Sequence, residues 1–475
     1  MADTRKLVTI DSAGTVTTVK DLEVSSTYMA VRDSFNVKAP DRQTAYSGAP
    51  RRYAGASAVS ETHGNAEVQW QVLVRGATQD ACLQNVEAML AAIEPLSYPG
   101  LHLEWRPDGA TASTYYEVRG PAKWQSDYKW TRFQGALSLI VDIAIPVAPL
   151  AKGGLVTQVI SSFTTPNLVQ VPSAIGGAAP AKVDVTVSKA GSQAGPAFAM
   201  LAWWSRLPTP PGGYSNVFSI LEAESGGSLA TWASGADAAA RGGSRLVATA
   251  SGAGTTSAKY AIHTGGIVAG TVDVEIWARV YLASTLVSPR IIASAATDNM
   301  GGASSYTREW GSVGRPLNVP SASGYRLTRV GTITLPITGV DPRWALTVGM
   351  SWAAGSSGTV GLDWLLLVPA RQRAVSPGSE LLDSSYPRFM PTSTAAISKL
   401  ITSDLAGALV SGGVNAADPG LGGTAIEMPT GNVDMAVLLS EMPADEPVSA
   451  NTIGAGYTGT TMSLAITPRY FLARA

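Results

Sequence analysis

The chain of 475 residues holds a single cysteine, Cys82, and only three histidines, His63, His102 and His263. One cysteine excludes an intramolecular disulfide, and with it a fold stapled for an oxidising compartment. Charge is scarce as well: 15% of residues are charged, against roughly 25% in an ordinary soluble domain. The 34 basic and 35 acidic side chains leave a net charge of −1. A chain without a basic excess is poorly suited to neutralising a phosphate backbone, which argues against a nucleic-acid binder. Long apolar runs are missing too. The best stretch, 136–145, is broken by Asp142 and alternates, so no membrane-spanning helix is expected. The segment from Met1 to Asp11 has no apolar run of signal-peptide length. The expectation is a soluble protein made in a reducing cytoplasm and not exported by the usual route.

Catalytic signatures are equally sparse. None of the three histidines has a second His, Cys or carboxylate at metal-site spacing. His102 alternates onto the outer side of a strand and His263 precedes Gly265-Gly266, so surface or turn positions are expected. No nucleophile elbow, phosphate loop or dinucleotide fingerprint occurs. Cys82 falls on the apolar stripe of a helix and reads as a core residue. The chain is expected not to be an enzyme.

What the chain has in quantity is short alternating segments separated by 49 glycines and 29 prolines. The fold class expected is mainly β. In the first 150 residues, Val68, Trp70, Val72 and Val74 alternate with Glu67, Gln69, Gln71 and Arg75, the pattern of a half-buried antiparallel strand. Thr78 and Asp80 then open a helix to about Glu94, with Cys82, Val86, Leu90 and Ile93 as its buried stripe. Pro95 and Pro99-Gly100 stop it. Strands at 101–105 and 114–119 and a long strand over 133–147 follow. That order describes an α+β sandwich with one flanking helix. Residues 33–64 are polar, include Arg51-Arg52, and read as a long arm or loop.

Beyond Lys152 the strands shorten and the turns multiply, as in β-sandwiches. Over 272–282 one row (Val272, Val274, Ile276, Ala278, Val280, Leu282) is expected to face in, and Asp273, Glu275, Trp277, Arg279 and Tyr281 to face out. Pro208 to Gly213 and Pro369 to Pro377 bound a block of jelly-roll size. Three domains are expected: 1–150, then 151–215 together with 370–475, with 216–369 inserted between them.

Two features carry chemistry. Glu222 and Glu224 are two apart in Ser219-Ile220-Leu221-Glu222-Ala223-Glu224; on a strand they would share a face, as a solvated edge or as hard oxygen ligands for Ca²⁺. As a glycosidase acid and base they would lack an opposite wall. The chain also carries 12 tryptophans against 7 phenylalanines. Trp203-Trp204, Trp232, Trp277, Tyr306 and Trp310 lie in or near Gly/Ser-rich segments or on strand faces read as outward; exposed rings of this kind stack on sugars or anchor interfaces.

The strand from Val68 to Arg75, the helix from Asp80 to Ile93, Pro99-Gly100-Leu101-His102-Leu103-Glu104-Trp105, Tyr115 to Gly120 and Trp130 to Ile145 together resemble the distal tail and minor tail proteins of long-tailed bacteriophages. That resemblance implies a module that closes into a ring continuing the tail tube. Val171-Pro172-Ser173, the Ala179 to Val187 strand and Pro468-Arg469-Tyr470 resemble the galectin-like second domain of the same family. The 216–369 block resembles β-sandwich carbohydrate-binding modules that open on a Glu-Ala-Glu strand, with Ile220 to Glu224 as the first strand and Gly361-Leu362-Asp363-Trp364-Leu365 as the last. This second resemblance implies a structural Ca²⁺ held by Glu222, Glu224 and Asp363, and sugar contact from loop aromatics, for which Trp232, Tyr306 and Trp310 are the candidates. The function implied is that of a structural virion protein of the tail tip, assembled in the host cytoplasm. Its partners would be copies of itself in a ring (a hexamer favoured over a trimer), the tail tube, tip hub and fibre proteins, and a host cell-wall glycan. A free-standing carbohydrate-binding protein is the alternative.

Overall fold

The computed structural model describes residues 4–470 except 12–13, 24–25, 32–33, 39–41, 48–56, 109, 134–135, 164, 190–197, 268–269, 298–306, 309–315, 320–322, 338–342, 371, 377–387, 393–398, 404–413, 416–426 and 441–459. The fold is mainly β with one α-helix among the described residues. The chain forms two compact units, Met1–Val156 with Gly176–Ala181 and Thr467–Ala475, and Thr157–Ile175 with Lys182–Ile466.

In the first unit, β1 (Thr4–Ile10), β2 (Val16–Asp21), β3 (Tyr28–Ala30) and β4 (Asn36–Lys38) precede a hairpin of β5 (Arg42–Ser47) and β6 (Ser57–His63). The polar segment read as an arm or loop is thus partly strand: β4 pairs with β7 (Ala66–Gly76), and β5 with β6. Then come β7 (Ala66–Gly76), α1 (Gln79–Ala92), β8 (Leu101–Arg106), β9 (Thr114–Glu117), β10 (Lys123–Gln125), β11 (Thr131–Phe133), β12 (Ala136–Val147) and β13 (Ala151–Lys152). One sheet runs β2-β1-β8-β9-β13, with Ala151 and Lys152 paired to Tyr470 and Arg469. The other runs β10-β12-β7-β3. β7 and β12 pair without a break from Leu137↔Gly76 to Val147↔Ala66. Inward residues Val68, Trp70, Val72 and Val74 meet Leu139, Val141, Ile143 and Ile145 in one core.

Helix α1 begins where the sequence places it. The Thr78 hydroxyl accepts the Ala81 N–H at 3.2 Å, which satisfies one of the donors a helix start leaves open. Gly76 ends β7 because a Cβ there would stand 2.4 Å from the Cys82 nitrogen, so strand and helix start could not approach each other with any other residue. Cys82, Val86, Met89 and Ile93 are buried against the sheet, with Leu90 partly buried beside them.

His102 departs from expectation. It is 5% exposed, because Lys152 and Glu117 close over its ring. The Lys152 ammonium lies 3.3 Å from Nε2 and also pairs with Glu117, while Nδ1 is 2.7 Å from the Gly100 carbonyl. Burial first, and then the Lys152 charge, bring its pKa down to about 4.

In the second unit, Asn167–Gln170, Val433–Ser440, Phe198–Ser205 and Arg373–Ser376 form an antiparallel sheet in that order. A β-sandwich lies beside it. One of its sheets joins Gly254–His263, Arg343–Trp352 and Arg290–Thr297; the other joins Ala233–Ala236, Ser244–Ser251, Ser357–Pro369, Thr271–Leu282 and Gly324–Pro336, with Ser219–Glu222 also on Ser357–Pro369. One hydrophobic core runs through the sandwich and takes in Met200, Ala202, Trp204, Ala436 and Leu438 of the smaller sheet. Trp203, Trp204 and Trp277 are buried, not exposed on outer faces.

The strand Thr271–Leu282 corrects a further expectation. Its inward row is as expected, yet Glu275, Trp277 and Arg279 of the opposite row are buried too. The cause is that both faces are covered. Arg373 of the smaller sheet and Arg329 pair with Glu275, the latter at 2.6 Å, and the Ala239 carbonyl accepts from Arg279 at 2.8 Å. The Trp277 indole N–H donates to Glu275 at 2.7 Å.

Candidate functional site

The acidic residues singled out in the sequence meet at the margin of the sandwich where its first and last strands pair. Ser219–Glu222 lies antiparallel to Ser357–Pro369, with Glu222 opposite Trp364. The register between Thr271–Leu282 and Ser357–Pro369 shifts between Arg279 and Val280, where Trp364 and Leu362 are paired and Asp363 is passed over. A bulge of this kind re-aims a side chain. Asp363 is fully buried. Glu222 ends its strand, and Ala223–Ser225 is a 3-10 turn. Glu224 therefore sits on that turn and not two positions along a strand. The Tyr260 hydroxyl fixes the turn by donating to the Ala223 carbonyl at 2.9 Å.

Two arginines that no sequence pattern nominated enter this cluster. Arg279 Nη1 donates to Asp363 Oδ2 at 2.6 Å, and the Arg241 backbone N–H donates to Asp363 Oδ1 at 2.9 Å. Arg241 Nη1 donates to Glu222 Oε1 at 2.5 Å. Glu224 Oε1 accepts from the Ser244 hydroxyl at 2.5 Å. Burial raises the Asp363 pKa to about 6 against the opposing pull of Arg279, and Glu222 adds to the rise. Burial likewise raises Glu222, with Arg241 opposing and Glu224 reinforcing the shift. Arg279 also lies under the Tyr325 ring at 4.0 Å, and Tyr325 donates its hydroxyl to Asp237 at 2.8 Å.

This donor set does not fit calcium. The ion takes six to eight oxygens, whereas both oxygens of Asp363 and one of each glutamate already accept hydrogen bonds, from guanidinium groups in two cases; this leaves two carboxylate oxygens of the three residues, Glu222 Oε2 and Glu224 Oε2, buried without a hydrogen-bond partner. Among the described residues no group of three or more His, Cys, Asp or Glu is arranged to hold a metal ion. Of the aromatics nominated for sugar contact, Trp232 is 6% exposed and belongs to the sandwich core. Tyr306 and Trp310 lie outside the described residues. Arg279 had one signal in the sequence, a charge in the most regular strand of the chain, but alternation assigned that row to solvent. Arg241, in an Ala-Arg-Gly-Gly turn, had none.

No helix among the described residues is long and apolar enough to cross a membrane. No protein-family model matches the chain, and no curated protein matches it. Solved structures similar to it include phage tail hub and baseplate proteins. The SPP1 Dit protein, described as a paradigm of the hub adsorption apparatus in phages infecting Gram-positive bacteria, is 11% identical with a TM-score of 0.26, over 42% of this chain and 69% of that one. A chain of the phage P2 baseplate in its activated conformation is 8% identical with a TM-score of 0.26, over 98% of both chains. The VP2 subviral particle of infectious bursal disease virus is 8% identical with a TM-score of 0.18, over 67% of this chain and 81% of that one.

Proposed function

We propose that this chain is a structural protein of the phage tail tip, whose first unit closes into a ring continuing the tail tube and whose β-sandwiches face outward. The observation that carries the reading is the first unit itself. Its strand β7, helix α1, hairpin β8–β9 and long strand β12 follow in the order, and over the residues, on which the family resemblance rests. Apolar surface at the margin of the β10–β12 sheet also supports it: Trp124, Tyr128 and Ile140 are 45%, 54% and 43% exposed. Exposed apolar groups of this kind favour contact with another chain. In this reading the work of the protein is geometric. The ring joins tube to tip, and the outward sandwiches carry fibre proteins or touch a host-wall glycan. A module that binds by extended surfaces needs neither net charge nor a reactive side chain.

Light scattering on the purified full-length chain tests this. A ring of six copies of the 49.1 kDa chain has a mass near 295 kDa, and a ring of three half that. A single species of one chain at tens of micromolar, with no ring in negative stain, overturns the reading.

A further inference from the structure

We propose that Arg241 stands where a divalent cation would otherwise tie the first strand of the sandwich to its last, so that this sandwich is closed by an internal guanidinium and needs no calcium. Three observations converge on it. Arg241 reaches Glu222 of the first strand through Nη1 at 2.5 Å and Asp363 of the last strand through its own backbone N–H at 2.9 Å. It thus bridges the two strands with one residue. The turn that presents it is built for the purpose: Gly242 and Gly243 have φ of +73° and +80°, conformations that side chains other than glycine's rarely adopt. This bends the chain back so that Ser244 reaches Glu224 at 2.5 Å. Arg279, buried beneath the same turn, holds the second oxygen of Asp363 at 2.6 Å. Two guanidinium charges therefore stand among Glu222, Glu224 and Asp363, where a calcium ion would bring two positive charges of its own. Adding the ion to the arginines would place like charges within a few ångströms of one another, which opposes binding.

The planar guanidinium also suits the task better than a lysine. Its fixed fork meets a carboxylate in a defined geometry, and it keeps its charge when partly buried.

The test uses the full-length protein and calcium itself as the probe. Thermal unfolding of the second unit is followed by tryptophan fluorescence in 5 mM CaCl₂ and in EGTA, with calcium titrated by calorimetry. The wild type is expected to unfold within about 1 °C in the two conditions and to show no saturable heat of calcium binding. Arg241→Met keeps the stem and removes the charge; it is expected to lower the midpoint by several degrees. In Arg241→Met/Glu222→Gln the loss is expected to be smaller than the sum of the single losses, because the half-buried partner left without its counter-charge by the first change is neutralised by the second. A wild-type midpoint raised by 3 °C or more in calcium, saturable calcium binding to the wild type, or an Arg241→Met midpoint equal to the wild type's overturns the proposal. The calcium titration of the wild type decides even where a variant fails to fold.

Discussion

The β7–β12 pair of the first unit and the Thr271–Leu282 strand of the second unit are alike as sequences and end in different surroundings. Both alternate apolar and polar residues along much of their length. In the first unit the polar row is half-exposed at Glu67, Gln69 and Gln71 and buried only at its end, at Arg75; Gln71 donates to Asp142 at 2.7 Å across the strands, on the side open to solvent. In the other unit, the corresponding row holds Glu275, Trp277 and Arg279, and all three are buried. Alternation reports which row meets the core between two sheets. It is silent on whether a third layer covers the other row. Where one does, each charged group must find its counter-charge inside the protein, since an unpaired buried charge costs several kcal/mol.

The largest test of that difference is Glu275→Leu. It leaves Arg373 buried without its carboxylate, and the second unit is expected to lose about 3–5 kcal/mol in urea unfolding followed by tryptophan fluorescence. Gln69→Ala on the wet face of β7 is expected to change stability by less than about 0.5 kcal/mol. Equal effects would mean that the two rows do not differ in kind.

A pH series sharpens the comparison within the first unit, where His102 is the buried exception. Its folded pKa, about 4, lies below the ordinary histidine value near 6.5. The unfolded chain therefore binds a proton between those values and the folded chain does not. The stability this histidine contributes is complete above pH 6.5 and is lost as pH falls toward 4. The loss by pH 4 is on the order of 3 kcal/mol. His102→Gln should flatten the dependence of first-unit stability between pH 6.5 and 4; an unchanged slope would assign the acid sensitivity to other groups.

The smallest effect concerns α1. Thr78→Ala removes the hydroxyl that caps the Ala81 N–H and is expected to cost about 1 kcal/mol. Thr78→Ser should restore most of it, and hydrogen exchange at the first turn of the helix would register both changes.

These contrasts explain how much was legible in the sequence. The helix, its start at Thr78, the Gly76 stop, the alternation of β7 and most of the long strand expected over 133–147, observed as Ala136–Val147, were legible, because each follows from local chemistry and a single buried face. The burial of His102 was not, since it depends on Lys152, fifty residues away along the chain. The meeting of Glu222 with Asp363 was legible only through a resemblance, and the arginines between them were not legible at all. Nothing local in Ala240-Arg241-Gly242-Gly243 says that it folds over the last strand of a sandwich. Trp232 shows the opposite error: Gly and Ser neighbours suggested exposure, and the core took the ring because an indole buries more apolar area than any other side chain.

In the proposed assembly, first units meet one another around an axis. Cryo-electron microscopy of the full-length chain, with tail tube protein added, reads this directly. The expected result is a closed ring of six copies whose ring contacts are all made by residues of the first unit. Assemblies held together through the sandwiches, or single chains with no ring beside the tube protein, would contradict it.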